Sequence, residues 1–230
     1  MSNENKIKIF HISGDHYIPT KTTMKIYNML KNKLMNQVDI CELLIDDIKL
    51  DTLKNCRGCK KCFTSGICIY DKEDAILEIK NKLLESDLIV ISTPVFIDNI
   101  SGNLKTLFDR LSYWFHIMPL IHKKCILIVS TYRSGKNEVS KYLYQICSYL
   151  GLEVVGLITS DYKTKKSDVQ NMIDICIDVL ISKLTKKDES SAYVRHIFNV
   201  YDTTYKNMMK RKQKNFELTL WYRCHYKVDI

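Results

Sequence analysis

LIVISTPVFIDNISGNLKTLFDR, residues Leu88–Arg110, is the stretch whose reading decides the fold. It opens with a short continuous apolar run, Leu88 to Ser92. Such a run predicts a strand buried on both faces, as in a parallel sheet with helices on each side. Thr93-Pro94 ends the strand and turns the chain out at the sheet's carboxyl edge. Leu104 to Trp114 then follows with helical spacing. A buried strand, a loop and a helix make half of a βαβ unit, so the fold depends on whether the unit recurs.

It recurs on both sides. Lys6 to Ser13, KIKIFHIS, alternates and is rich in Ile, which predicts a first strand. Thr22 to Met35 carries Met24, Tyr27, Leu30 and Leu34 at helical spacing, and Val38 to Ile45 predicts a second strand. Asp71 to Glu85 reads as a helix with acidic residues in its first turn. Downstream, Cys125 to Ser130 predicts a buried strand. Lys136 to Leu150 predicts a helix stopped at Gly151, Val154 to Ile158 a fifth strand, and Val169 to Leu184 a fifth helix. Five strands alternating with helices predict an α/β doubly wound five-stranded parallel sheet. Ligands of such sheets sit beyond the carboxyl ends of the strands, so the loops after strands one, three and four should face one crevice. A boundary is expected near KKDESS, giving residues 1–187 as the sheet domain and 188–230 as a C-terminal extension. Val194, Ile197, Phe198, Tyr201, Tyr205 and Met208 give that extension one apolar helical face, followed by an aromatic segment, Leu220 to Tyr226. A stripe of this kind must cover its own domain or a neighbouring copy.

Composition excludes several classes. With 46% hydrophobic and 27% charged residues, the chain is globular rather than disordered. No apolar run is long enough to span a bilayer, and MSNENKIKIFHIS lacks the apolar stretch of a signal peptide, so a cytoplasmic protein is expected. No two glycines are spaced G-x-G, and Ser130 stands where a phosphate-binding P-loop ending in Gly135-Lys136 would need Gly. The net charge is +9, and +6 of it lies from Lys183 onward. No nucleic-acid motif accompanies it, so a Lys-rich solvated face is expected, with neither nucleic acid nor membrane as partner.

Four of the nine cysteines crowd into Cys56-Arg57-Gly58-Cys59-Lys60-Lys61-Cys62-Phe63-Thr64-Ser65-Gly66-Ile67-Cys68. The spacing is C-x2-C-x2-C-x5-C. All-cysteine ligation at short spacing is how iron–sulfur cubanes are held. A structural zinc usually draws on two separated C-x2-C pairs, and the third and fourth cysteines here do not make the second pair. Zinc and free or disulfide-forming thiols stay open beside a [4Fe–4S] cluster held by Cys56, Cys59, Cys62 and Cys68. The other five cysteines lie mostly in apolar patterns, where Cys behaves as a small hydrophobe. The six histidines share no metal-ligand spacing and read as satisfied or surface residues.

Two loops carry the remaining chemistry. Thr93, Pro94, Val95, Phe96, Ile97, Asp98 and Asn99 read either as an edge where a flat polar ring lies or as a plain strand-to-helix loop, with Ser101 or Asn103 capping the helix. Ser13, Thr20, Lys21, Thr22 and Thr23 bring hydroxyls and amides to a helix start suited to a phosphate, although Thr-rich caps are common for structural reasons.

The stretch Cys56–Arg110 resembles the NADPH-dependent FMN reductase superfamily, flavodoxin-like in fold, and within it the iron–sulfur flavoproteins of anaerobic microbes. The matching pieces are the cysteine spacing followed by an acidic helix start, Thr-Pro-Val-Phe, Ser-Gly-Asn-Leu-Lys and Phe-Asp-Arg. The likeness covers roughly residues 5–185, and the aromatic C-terminus also looks like the tail of many relatives. It implies a flavin-dependent oxidoreductase with one FMN per subunit, a cluster beside the flavin, NAD(P)H as a possible donor, and dimers or tetramers. It implies a phosphate near Ser13 and Thr20–Thr23, and a ring against Pro94–Asn99 and Thr131–Gly135, with Tyr132 near the flavin edge and no side chain required as a covalent nucleophile. A redox protein or a small-molecule acceptor would complete the electron path. The first loop departs from the family's usual Gly-Ser-Pro-Arg, and the loop Ser130–Lys136 has one Gly where relatives often have several. A cluster-free FMN or quinone reductase and a non-catalytic redox carrier or sensor are the competing expectations.

Overall fold

The computed structural model describes residues 7–15, 22–37, 50–184, 190–213 and 215–227, and the backbone of 40–44. In chain order the strands are β1 (Ile7–Ser13), β2 (Ile40–Leu44), β3 (Leu88–Pro94), β4 (Lys124–Ser130) and β5 (Glu153–Ser160). The helices are α1 (Thr22–Gln37), α2 (Lys61–Ser65), α3 (Ile76–Glu85), α4 (Gly102–Arg110), α5 (Trp114–Ile117), α6 (Lys136–Tyr149), α7 (Lys166–Leu184), α8 (Ala192–Lys210) and α9 (Phe216–Tyr226).

The sheet runs β2-β1-β3-β4-β5 through four parallel pairings. Strand order 2-1-3-4-5 is the flavodoxin-like form of the doubly wound sheet. Four of these strands, β1, β3, β4 and β5, have described side chains; β2, at the edge, is described by its backbone. The alternation of strand side chains explains the two cores. Ile89 and Ile91 of β3 face α3, α4 and α6 with Phe10, Ile12, Leu127 and Val129. Leu88 and Val90 face α1 and α7 with Ile9, Ile126 and Ile128. All of Leu88 to Ile91 is buried, as the apolar run predicts.

Two helices near the cysteine loop take other bounds than the sequence reading gives them. The helix expected from Asp71 begins at Ile76, because Asp71 and Asp74 serve a turn instead. Asp71 accepts from the Cys68 amide at 2.8 Å, and Asp74 from the Ile76 amide at 3.1 Å. These carboxylates are not solvated: Asp71 pairs with buried Lys80 at 2.7 Å, and Asp74 with buried Arg110 at 2.6 Å. The helix from Leu104 starts earlier, at Gly102, capped by Ser101, whose Oγ accepts from the Leu104 amide at 3.4 Å, and ends at Arg110.

The C-terminal extension is a pair of helices, α8 and α9. Its stripe packs within the chain. Val194, Ile197 and Tyr205 are buried with Met118, Leu218 and Trp221, and Phe198, Tyr201 and Met208 pack against them. Of the two covers expected for the stripe, its own chain supplies one: the face is covered by α9 and by the turn after α5. Among the described residues no helix is long and apolar enough to cross a membrane.

Cys125, Cys147 and Cys176 are buried in the two cores, as expected for small hydrophobes. Burial and the neighbouring Cys147 push the Cys125 thiol well up, and burial pushes Cys176 to about 11. In folded, metal-free protein a thiol reagent at neutral pH should label the exposed Cys56 and Cys59 and spare these three, as read by mass spectrometry. Labelling of Cys125 before unfolding would contradict the packing described.

Candidate functional site

The carboxyl ends of the strands lie level. Ser13 is in register with Ser92, Pro94 with Ser130, and Ser130 with Ser160. The loops that leave these ends meet. The Gly14 amide donates to the Ser92 carbonyl at 2.7 Å, the Val95 amide to Ser130 at 2.8 Å, and the Thr131 amide to Ser160 at 2.9 Å. A side chain at Gly14 would stand 2.7 Å from Ser101 Oγ and 3.0 Å from Thr93 Oγ1, so only Gly allows the first and third loops to approach this closely.

The loop after β3 is a tight hairpin. Phe96 and Asn99 exchange backbone hydrogen bonds of 2.8 and 3.0 Å, with Ile97 and Asp98 between them at φ of 49° and 52°. A β-branched residue in that region is a true outlier and costs about 1 kcal/mol or more. Ile97 exposes its whole side chain. Strain spent on presenting an apolar side chain to solvent marks this loop as more than a connection. Gly135, at φ 82°, brings the loop after β4 against it: a Cβ there would lie 2.5 Å from Asp98 Oδ1 and 2.7 Å from Val95 Cγ1. Thr131 Oγ1 donates to the Ser134 carbonyl at 2.6 Å, and Ser134 Oγ to Asp98 at 3.3 Å. Thr93 to Asn99 and Thr131 to Gly135 thus form one surface. Tyr132 is exposed on it and pairs with Tyr162, at 5.8 Å between rings. Tyr162, from the loop after β5, is a rim residue that the sequence reading missed, since nothing local marks it. So is Asp161, held down at about 2 by Lys136, the Lys163 amide and the Thr164 hydroxyl.

The first loop is only partly described. Thr20 and Lys21 lie outside the described residues. Ser13 ends β1, and Thr22 and Thr23 open α1. Thr23 is buried and gives its hydroxyl to the Asp15 carboxylate, which Ser13 Oγ also reaches at 3.5 Å. The hydroxyl expected to meet a phosphate is thus committed to a carboxylate of the same loop. The ring half of a flavin site fits what is present.

Cys56, Cys59, Cys62 and Cys68 line one pocket with Arg57, Lys60, Tyr70 and Arg110. Glycine-like backbone at Gly58, Lys60 and Gly66, with φ of 63°, 58° and 69°, folds the loop round it. Burial pushes the Cys62 thiol up, and the Cys68, Cys56 and Cys59 thiols push it further. Among the described residues no three His, Cys, Asp or Glu side chains stand as a closed metal-holding group. The donor set nonetheless fits a thiolate-ligated cluster: four cysteines line one pocket, with cations to offset their charge.

One helix joins the two regions. The N-terminus of α4 hangs on the ring loop, where the Ser101 amide donates to Thr93 Oγ1 at 3.3 Å. One turn on, Thr106 Oγ1 donates to Asn55, beside Cys56, at 3.1 Å. At its end Arg110 donates to the Lys54 carbonyl at 2.9 Å. Nine residues span about 13 Å, so α4 sets a short, rigid spacing between ring loop and cysteine pocket.

The family model for NADPH-dependent FMN reductase matches residues 7–161. An iron–sulfur flavoprotein of Archaeoglobus fulgidus is 31% identical over 102 residues, covering 44% of this chain and 46% of the relative. One from Clostridioides difficile is 27% identical over 155 residues, covering 64% and 65%. The chain thus spans less than two thirds of the length of these relatives. The apo form of an NADH:FMN oxidoreductase shares the fold at TM-score 0.57 and 16% identity, over 77% of this chain and 90% of that one.

Proposed function

The chain belongs to the NADPH-dependent FMN reductase family, and on that premise we propose that it is an FMN-dependent oxidoreductase whose cysteine loop holds a [4Fe–4S] cluster. When bound, FMN supplies hydride or one-electron exchange, and the cluster supplies one-electron exchange beside it. The observation that carries this reading is α4, which ties the ring loop at one end to the cysteine pocket along its length. The protein's task is placement. Phe96, Ile97 and Tyr132 offer an apolar rim for the ring, and the linked Thr93–Asn99 and Thr131–Gly135 loops fix it. Arg57 and Lys60 offset the charge of the thiolates. NAD(P)H is the proposed donor, and a redox protein or a small-molecule acceptor the proposed partner. A second copy of the chain is proposed to cover the rim, since Ile97 is fully exposed there.

A cluster-free FMN or quinone reductase is the second reading, favoured by the exposure of Cys56 and Cys59. Anaerobic NAD(P)H oxidation with FMN, followed by absorbance, supports either enzyme; a carrier without turnover would show none. The flavin site has its own test. Gly135→Ala puts a Cβ into Asp98 and Val95 and strains a left-handed residue, so FMN affinity should fall about tenfold or more, roughly 1.4 kcal/mol. Fluorescence titration with unchanged affinity would remove FMN from this surface.

A further inference from the structure

We propose that Arg110 is a positioning residue for the cysteine centre, its buried Nε–H donating to the Cys68 sulfur and its charge favouring the more negative state of the cluster. The proposal rests on the cluster reading above. Arg110 is 1% exposed. Three of the four N–H groups of its fork are engaged: Nη1 donates to Asp74 at 2.6 Å and to the Lys54 carbonyl at 2.9 Å, and Nη2 reaches Asp74 at 3.4 Å. These bonds fix the guanidinium plane. Nε, on the other edge of that plane, is buried with no acceptor among the described residues. A buried donor left unmade costs about 1–3 kcal/mol, so a native protein keeps one only for a reason.

Arg110 itself lines the pocket with the four cysteines. Against the lowering effect of burial, Asp74 and Cys68 together hold the Arg110 guanidinium above its usual range. Cys68 is itself pinned from behind, its amide bound to Asp71 and Asp71 to Lys80. Both partners of the proposed Nε–H···S bond are therefore held by buried ion pairs. A hydrogen bond to a ligand sulfur and a fixed positive charge both stabilise the reduced cluster, whose charge is one unit more negative. Lysine could not supply the fork and the Nε donor together.

A purely structural arginine would leave the potential unmoved, so the cluster's one-electron midpoint is the readout. The full chain is reconstituted anaerobically with iron and sulfide as wild type, Asp74→Asn, and the Arg110→Met/Asp74→Asn double variant, which leaves no buried charge unpaired. The double variant should keep its iron and shift the one-electron equilibrium about tenfold toward the oxidised cluster, a midpoint lower by about 59 mV. Asp74→Asn, which leaves the arginine less neutralised, should shift it the other way. A wild-type cluster whose potential moves in neither variant overturns the proposal and leaves the cluster reading intact. Loss of iron from the folded double variant reduces Arg110 to a brace and overturns it likewise. Wild-type protein that takes up no iron overturns the cluster reading itself, and the proposal with it.

Discussion

Replacing Cys59 by Ala removes most of the iron from anaerobically reconstituted protein and leaves FMN bound. Cys59 sits between Gly58 and Lys60, both in left-handed backbone that turns the loop round its pocket. With that thiol gone, one corner of a cubane has no ligand, and three thiolates hold the cluster poorly. The proposed flavin surface is built from other segments, the hairpin Phe96–Asn99 and the loop Thr131–Gly135, which lie apart from the cysteines in sequence. Iron by colorimetry should fall by more than half, while flavin by absorbance stays at its wild-type value. Cys147→Ala is the control: it removes a buried sulfur between α6 and the sheet, costs about 1–2 kcal/mol and leaves the iron in place. Iron retained in the Cys59 variant, or iron and FMN lost together, contradicts the separation of the two sites.

Trp221→Ala destabilises the fold by about 3–5 kcal/mol, the range for removing a large buried aromatic. Trp221 is fully buried. Its ring lies 4.2 Å from His225, 5.0 Å from Phe198 and 5.1 Å from Tyr205, and its Nε1 donates to Asp202 at 3.4 Å. The consequence reaches the cysteine loop. Phe216 and Leu220 of α9 pack on Gly66, where a Cβ would come within 3.0 Å of the Phe216 ring, and Glu217 pairs with His116 at 3.0 Å. Loosening α9 therefore unbraces α2 and the cysteines around it. Denaturant unfolding measures the first effect, and the rate of iron loss to a chelator the second. A cost below about 1 kcal/mol, outside the range for a buried aromatic, would show that the extension is not part of the cooperative core.

The apolar runs were enough to read the central strands, because a strand buried on both faces has little freedom of composition. Leu88 to Ile91 and Cys125 to Val129 show it. The cysteine cluster was legible from spacing alone, and all four side chains do share one pocket. Elements whose partners are distant in sequence were harder. The stripe of α8 shows which face is apolar but not what covers it; the cover, Leu218 and Trp221, arrives a helix later. Asp71 and Asp74 looked like the acidic first turn of a helix. Only the fold brings Lys80 and Arg110 to them, and those ion pairs hold the turn open. Thr23 carried the chemistry of a phosphate contact, yet Asp15, eight residues earlier, takes its hydroxyl. The Arg110 side chain sits in a quoted motif, but its unused Nε is visible only in three dimensions.

The central claim is that one chain holds a flavin and an iron–sulfur cluster joined by α4. It is tested most directly by assaying iron, acid-labile sulfide, zinc and flavin on the full chain, isolated and reconstituted without oxygen. The account predicts about four irons, four sulfides and one FMN per chain, the content of an all-cysteine cubane beside a single flavin. An iron-free flavoprotein, or about one zinc per chain in place of iron, would contradict it.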